Sequence, residues 1–166
     1  FPDFVRIHEQ PLLKRAMGSA VFDSEGVATK PRNIVTDGVL EGYVLGSYSA
    51  RRLGLETTGN AGGLHNLTID PGQEDLPDLI RSLGQGLLVT ELIGFGVNTV
   101  TGDYSRGAAG FWVDHGEIQF PVEEVTIAGN LREMFQSIAA IGRDVDTKRS
   151  IRCGSILVEG LTVAGQ

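Results

Sequence analysis

The chain has 166 residues, enough for one domain with its own core, and its opening at Phe1 without a Met or a signal pattern reads as an interior start within a longer protein. Acidic residues outnumber basic ones 21 to 14, and the net charge of -7 excludes a phosphate-tracking nucleic-acid surface, because such binders draw affinity from clustered Lys and Arg. No apolar run approaches the ~20 residues of a membrane helix, so a soluble protein is expected, and the single Cys153, unable to close an internal disulfide, fits a reducing, cytoplasmic compartment.

Glycine stands at 23 positions, and the runs between them are rich in Val, Ile and Thr, which predicts short antiparallel strands joined by tight turns. In chain order, Asp37-Gly38 between Ile34-Val35 and Val39-Leu40 supplies the positive φ angles of a type I′ hairpin. A short helix from Ser49 to Leu53, closed by Gly54, needs tertiary support at that length. Glu56 to Gly63 reads as a loop. Asp75 to Leu83 predicts a helix with Pro77 in its first turn, Leu76, Leu79, Ile80 and Leu83 on one face, and Gly84 as its C-terminal cap.

Further on, Asp114-His115-Gly116-Glu117 predicts a second hairpin between Phe111-Trp-Val and Ile118-Gln-Phe, with the Trp112 face in the core and Pro121 ending or bending the return strand. Asn130 is a helix cap, with Glu133 as the reciprocal half of a capping box and Leu131, Met134, Phe135 and Ile138 as one apolar stripe. No internal repeat or low-complexity linker interrupts the chain. The expectation is a single α+β domain over residues 1–166, mainly antiparallel β-sheet with two principal amphipathic helices.

A zinc peptidase needs His, Glu, Asp or Cys side chains converging on one ion, typically with two ligands on one helical face. His8, His65 and His115 are widely separated, and His8 and His115 read as solvated residues of a terminus and a turn. His65 lies in Gly59-Asn-Ala-Gly-Gly-Leu-His-Asn66, where backbone N–H groups of a glycine-rich loop can meet a carboxylate or a peptide carbonyl. The plainer alternative is a tight structural loop in which His65 or Asn66 bonds the backbone.

Gly94 to Gly110 begins like a dinucleotide fingerprint, but Thr99 replaces the third glycine and no strand-then-helix context follows. Thr101, Asp103, Ser105 and Arg106 form a polar cluster in which Asp103 and Arg106 can pair or cap turns. Ser105 has no adjacent base to activate it. Cys153, between Arg152 and Gly154, reads as a buried structural thiol.

Several of these stretches together resemble the PmbA (TldE) family: Phe22-Asp-Ser-Glu-Gly-Val27, Ser47-Tyr-Ser-Ala-Arg51, Thr58-Gly-Asn-Ala-Gly-Gly-Leu-His-Asn66, Thr101 to Trp112, Thr126-Ile-Ala-Gly-Asn-Leu131 and Cys153-Gly-Ser155. Each is modest alone, and their joint order along nearly the whole chain is specific to the C-terminal part of such proteins. The resemblance implies a role in a TldD/TldE-type metallopeptidase that processes unfolded peptides, in microcin precursor maturation and antitoxin degradation, with an older label as a modulator of DNA gyrase.

In that pair the TldD-like subunit holds zinc through a His-Glu-x-x-x-His helix and a cysteine near the C-terminus. Cys153 matches the cysteine position, while the histidine helix would lie upstream of Phe1. One thiolate cannot assemble a three-ligand zinc site, so the expectation is no catalytic and no metal residues here and no cofactor in this segment, with zinc in the TldD-like partner. His65, Asn66, Thr101, Asp103 and Arg106 are the candidate substrate-binding residues. The expected partners are a TldD-like subunit and peptide substrates, with DNA gyrase indirectly, no direct nucleic acid and no membrane. The competing readings are a zinc peptidase whose ligands lie mostly upstream, and a gyrase-interacting module.

Overall fold

The computed structural model describes residues 1–165, and it is an α+β protein built mainly from antiparallel strands. The chain divides into two compact units. One comprises Asp3–Pro71 and Asp144–Gly154; the other comprises Phe1–Pro2, Gly72–Arg143 and the chain from Ser155. Among the described residues no helix is long and apolar enough to cross a membrane.

In the first unit, β1 (Ile7–Glu9) is flanked on one side by β2 (Arg32–Thr36) and β3 (Val39–Leu40), and on the other by β4 (Leu67–Ile69) and β9 (Ile151–Arg152), giving the order β3-β2-β1-β4-β9. All neighbours are antiparallel except β4 and β9. The turn between β2 and β3 places Asp37 at φ 48° and Gly38 at φ 74°, the left-handed pair expected of a type I′ hairpin. Val5, Ile34, Val35, Leu45 and Ala50 form the buried apolar set.

Helix α1 (Ser47–Leu53) begins two residues earlier than its composition suggests, because Glu25 supplies the cap that Gly46 cannot. Glu25 Oε2 accepts the Ser47 N–H at 2.8 Å, and Gly54 closes the helix at φ 67°.

The second unit is organised on a four-stranded sheet in the order β11-β7-β6-β5, from β5 (Gly86–Ile93), β6 (Asp103–Asp114), β7 (Glu117–Asn130) and β11 (Thr162–Ala164). β8 (Ile138–Ile141) and β10 (Ile156–Val158) make a separate pair. The β6–β7 turn carries His115 at φ 52° and Gly116 at φ 74°. Ala108, Val125 and Ile127 are its buried core, packed with Leu87, Val89, Tyr104 and Val122.

Helix α2 (Leu76–Leu83) has the expected boundaries: Asp75 and Asp78 form a reciprocal capping box, and Leu79 is buried. Helix α3 (Leu131–Gln136) is shorter than its apolar stripe implies. Asn130 Oδ1 accepts the Arg132 N–H at 3.0 Å, without a reciprocal bond from Glu133. Ile138 belongs to β8, not to the helix, and is buried there.

Two further expectations are sharpened. β7 does not end at Pro121, which pairs opposite Phe111; the ladder carries extra residues on either side, at Gln119 and at Glu123-Glu124, with Glu124 at φ 57°. β11 reaches only Thr126 to Ala128 of β7, so the missing N–H of Pro121 costs no bond to that neighbour. Trp112 is half-buried, and it is Val113 that is fully buried.

Candidate functional site

The glycine-rich loop sits on the first unit and is held from below by polar groups that water hardly reaches. Glu9, at the end of β1, is 1% exposed, Asn60 5% and Asn66 0%. A buried carboxylate is unfavourable unless donors surround it, and Glu9 has them. Asn60 Nδ2 donates to its Oε1 at 2.8 Å and its Oε2 at 3.0 Å, and the His65 main-chain N–H donates to Oε1 at 2.6 Å. His65 Nδ1 lies 3.3 Å from the same oxygen. Asn60 Oδ1 in turn accepts from Thr58 Oγ1 at 2.7 Å and Arg32 Nη1 at 3.4 Å.

The loop can follow this path only with glycine at particular points. Gly59 has φ 72°, and a Cβ there would stand 2.8 Å from the Ala28 carbonyl; at Gly62, φ 96°, it would meet Ser24 Oγ at 2.5 Å. Asp23 ties the neighbouring turn to the loop, accepting from Glu25 N at 2.9 Å, Val27 N at 3.0 Å and Ala61 N at 2.9 Å. Burial pushes the Asp23 carboxyl up, but the N–H groups of Ala61, Val27 and Glu25, with His65 nearby, outweigh it and hold it below its ordinary 3.8.

His65 and Asn66 are adjacent in sequence and differ in placement. The His65 ring is half-buried, beside the exposed Gly62, Gly63 and Leu64. Asn66 is wholly enclosed at φ 49°, its Oδ1 accepting from Gly18 N at 2.9 Å and its Nδ2 donating to Gln10 O at 3.0 Å and Ser19 Oγ at 2.9 Å. Its side chain therefore anchors the loop to the Gln10–Ser19 segment.

Thr101, Asp103 and Arg106 lie on the second unit. Asn98 organises the turn before β6: its Oδ1 accepts from Val100 N and Thr101 N, and Thr101 Oγ1 donates to Asp103 Oδ2 at 2.6 Å. Asn130 Nδ2 reaches the Thr101 carbonyl at 3.2 Å, linking this turn to the start of α3. Asp103 and Arg106 do not pair. Three residues apart on a strand, they face opposite sides, and Arg106 Nη2 donates to the Leu92 carbonyl at 3.2 Å. The Arg106 Nε is buried without a partner.

Among the described residues β5 is bonded on one side only, to β6. Beside it lies an apolar groove of about 330 Å3, lined by Leu76, Leu79 and Leu83 of α2, Leu87 and Val89 of β5, and Leu161.

The donors needed by zinc are dispersed. His8 is not a merely solvated residue: its Nε2 lies 2.9 Å from Asp70 Oδ1. His115 is exposed and sits 3.0 Å from Asp114. Cys153 Sγ lies 3.0 Å from the Gly154 carbonyl, and burial, with Asp144 adding to it, pushes the thiol above its ordinary 9.0. Among the described residues no three His, Cys, Asp or Glu side chains are grouped as a metal would require. The residues present do not by themselves fit a zinc site.

Sequence reasoning missed Glu9, Asn60 and Asp23. The signal for Asn60 and Asp23 was their place inside the Thr58–Asn66 and Phe22–Val27 motifs. For Glu9 there was none, since nothing in a short Ile-His-Glu run announces a buried carboxylate.

Comparison with known proteins covers nearly the whole chain. Residues 1–165 match the PmbA/TldA metallopeptidase C-terminal domain. A metalloprotease PmbA of Escherichia coli O157:H7 is 52% identical over 165 residues, covering 99% of this chain and 37% of that protein. The solved structure of a candidate modulator of DNA gyrase from Bacteroides thetaiotaomicron superposes with a TM-score of 0.91 at 34% identity, over 99% of this chain and 37% of its own. TldE from Thermococcus kodakarensis superposes with a TM-score of 0.83 at 25% identity, over 99% and 40%. The chain thus spans well under half the length of the relatives it matches.

Proposed function

This chain belongs to the PmbA/TldA metallopeptidase family, as its C-terminal domain, and from that premise we propose that it is the substrate-handling part of a non-catalytic subunit, working in the cytoplasm with a zinc-bearing TldD-like partner on unfolded peptides. The observation that carries this reading is the free edge of β5. Its unpaired main-chain groups are those an extended peptide needs in order to add as a further strand, and the apolar groove beside it receives side chains. Microcin precursors and labile antitoxins are the peptide substrates that the family resemblance suggests.

On this reading each unit also offers polar contacts of its own: the Thr101-Asp103 turn with Arg106 in the second unit, and in the first His65, seated on Glu9, with Asn66 as the buried anchor of its loop. Zinc and the hydrolytic step belong to the partner.

The test is zinc analysis together with peptide cleavage by the full-length protein alone, by a TldD-like subunit alone, and by the mixture. Cleavage that requires the mixture, with zinc following the TldD-like subunit, is the expected result. Cleavage by the full-length protein alone, with about one zinc per chain, would establish instead a complete peptidase with ligands outside this segment. A gyrase-contacting role is favoured only by the descriptions of solved relatives, those of Bacteroides thetaiotaomicron and Thermotoga maritima, and direct binding to purified gyrase measures it.

A further inference from the structure

We propose that Glu9 is a positioning residue: it holds the His65 imidazole with its proton on Nδ1, so that Nε2 accepts a hydrogen bond from a main-chain N–H of a bound extended peptide. This rests on the peptide-handling reading above and names the atom through which the loop takes part.

Glu9 is more completely buried than any other charged side chain on the sheet of the first unit, at 1% exposure, and every bond it makes is one it accepts. The ring nitrogen facing it, Nδ1 at 3.3 Å, must therefore carry the hydrogen. In a neutral imidazole that leaves Nε2 as a bare lone pair. Nε2 has no partner within the chain among the described residues, and it belongs to a ring set beside the exposed Gly62, Gly63 and Leu64. The same Glu9 oxygen also binds the His65 main-chain N–H, so backbone and ring are fixed together.

The charged groups around the ring are Glu9 and Asp23, with Arg32 reaching Asn60 from β2. A lone pair held in this way selects an N–H donor. An extended peptide presents one at every second residue on a given side, and a carboxylate or phosphate presents none.

The experiment uses the full-length protein labelled with 15N-histidine, titrated with an unstructured, end-blocked peptide of Ala, Gly and Ser. In the free protein the His65 signals should show hydrogen on Nδ1 and a bare Nε2, and added peptide should move the Nε2 signal toward a hydrogen-bonded position. Glu9→Ala, which removes the acceptor facing Nδ1, should let the hydrogen move to Nε2 and weaken peptide binding.

His65→Gln keeps an acceptor near the place of Nε2 and should retain most of the affinity. His65→Asn keeps only the contact to Glu9 and should lose about five- to tenfold, as expected for one hydrogen bond. Hydrogen on Nε2 in the free protein, an Nε2 signal that peptide does not move, or full affinity in His65→Asn would each overturn the proposal. A mixture that fails to cleave while Nε2 still responds removes the peptidase reading alone; cleavage by the mixture with an unresponsive Nε2 removes this one alone.

Discussion

Asn60 Nδ2 donates to both carboxylate oxygens of Glu9, at 2.8 and 3.0 Å, and this one amide links the glycine-rich loop to the central strand of its sheet. Truncation by Asn60→Ala leaves a buried carboxylate short of two hydrogen bonds and opens a small void. A loss of about 2–4 kcal/mol is expected, read from the urea midpoint of the full-length protein. Asn60→Asp, which sets a second carboxylate against the first, should be worse than Asn60→Ala. Equal stability of the wild type and Asn60→Ala would mean that Glu9 is satisfied in some other way.

Asp23 makes stability depend on pH. Its folded-state value is depressed below 3.8, so its contribution is fully present above that value and is lost as pH falls through the lower folded value. Asp75 at the cap of α2 acts in the same direction: its bonds from the Asp78 N–H and Arg143 hold its carboxyl below 3.8. Asp23→Asn should lower stability at neutral pH and flatten the acid limb of a plot of urea midpoint against pH. An unchanged acid limb would show that the Ala61, Val27 and Glu25 N–H groups do not favour the ionised form as argued.

Gly110 tests the closeness of β5 to β6. A Cβ placed there would stand 1.9 Å from the Leu88 carbonyl oxygen and 3.1 Å from Val89 Cα. Backbone cannot yield as a side-chain tip can, so Gly110→Ala should cost about 3 kcal/mol or more, or prevent accumulation of folded protein. Gly26→Ala meets nothing within 4 Å and carries only the strain of φ 78°, so the expected loss is about 1–2 kcal/mol. Thermal unfolding of the two variants side by side decides the order.

Cys153 should behave as a protected thiol. Burial and Asp144 raise it above 9.0, so little thiolate is present at neutral pH. Iodoacetamide should alkylate it more slowly than free cysteine at pH 8, and Cys153→Ser should leave the zinc content of the isolated full-length protein unchanged. Rapid alkylation at neutral pH, or zinc lost on substitution, would contradict this.

Much of the fold was legible because its signals are local. Asp37-Gly38 and His115-Gly116 each supply two positive φ angles at a turn, and Asp75, Pro77 and Gly84 mark both ends of α2 within its own residues. Where a feature depends on a distant neighbour, local reasoning failed. Ile138 continues the apolar spacing of α3, yet pairing with Val158 of β10 claims it for a strand. Pro121 reads as the end or the bend of a strand, and only its pairing with β6 shows that β7 runs on through it between two bulges.

The candidate site divides in the same way. The glycines and His65 could be found from composition and motif, but the burial of Glu9 is a product of tertiary packing. Of the two roles expected for Asp103 and Arg106, pairing is not seen, because a spacing of three joins neighbours on a helix and separates them on a strand, while Asp103 does serve its turn by accepting from Thr101 Oγ1.

The parallel pairing of Leu67 and Thr68 with Ile151 and Arg152 has a consequence for how the protein is made. Synthesis runs from the N-terminus, and domains begin to fold as they emerge. A nascent chain that has reached Pro71 already holds β1 to β4, but the β9 strand that borders β4 follows only after the whole Gly72–Arg143 segment of the other unit has been translated. Until then β4 keeps an open edge, which invites pairing with other nascent chains. At three residues it is a short one. Ribosome-associated chaperones are most useful to this protein during that interval.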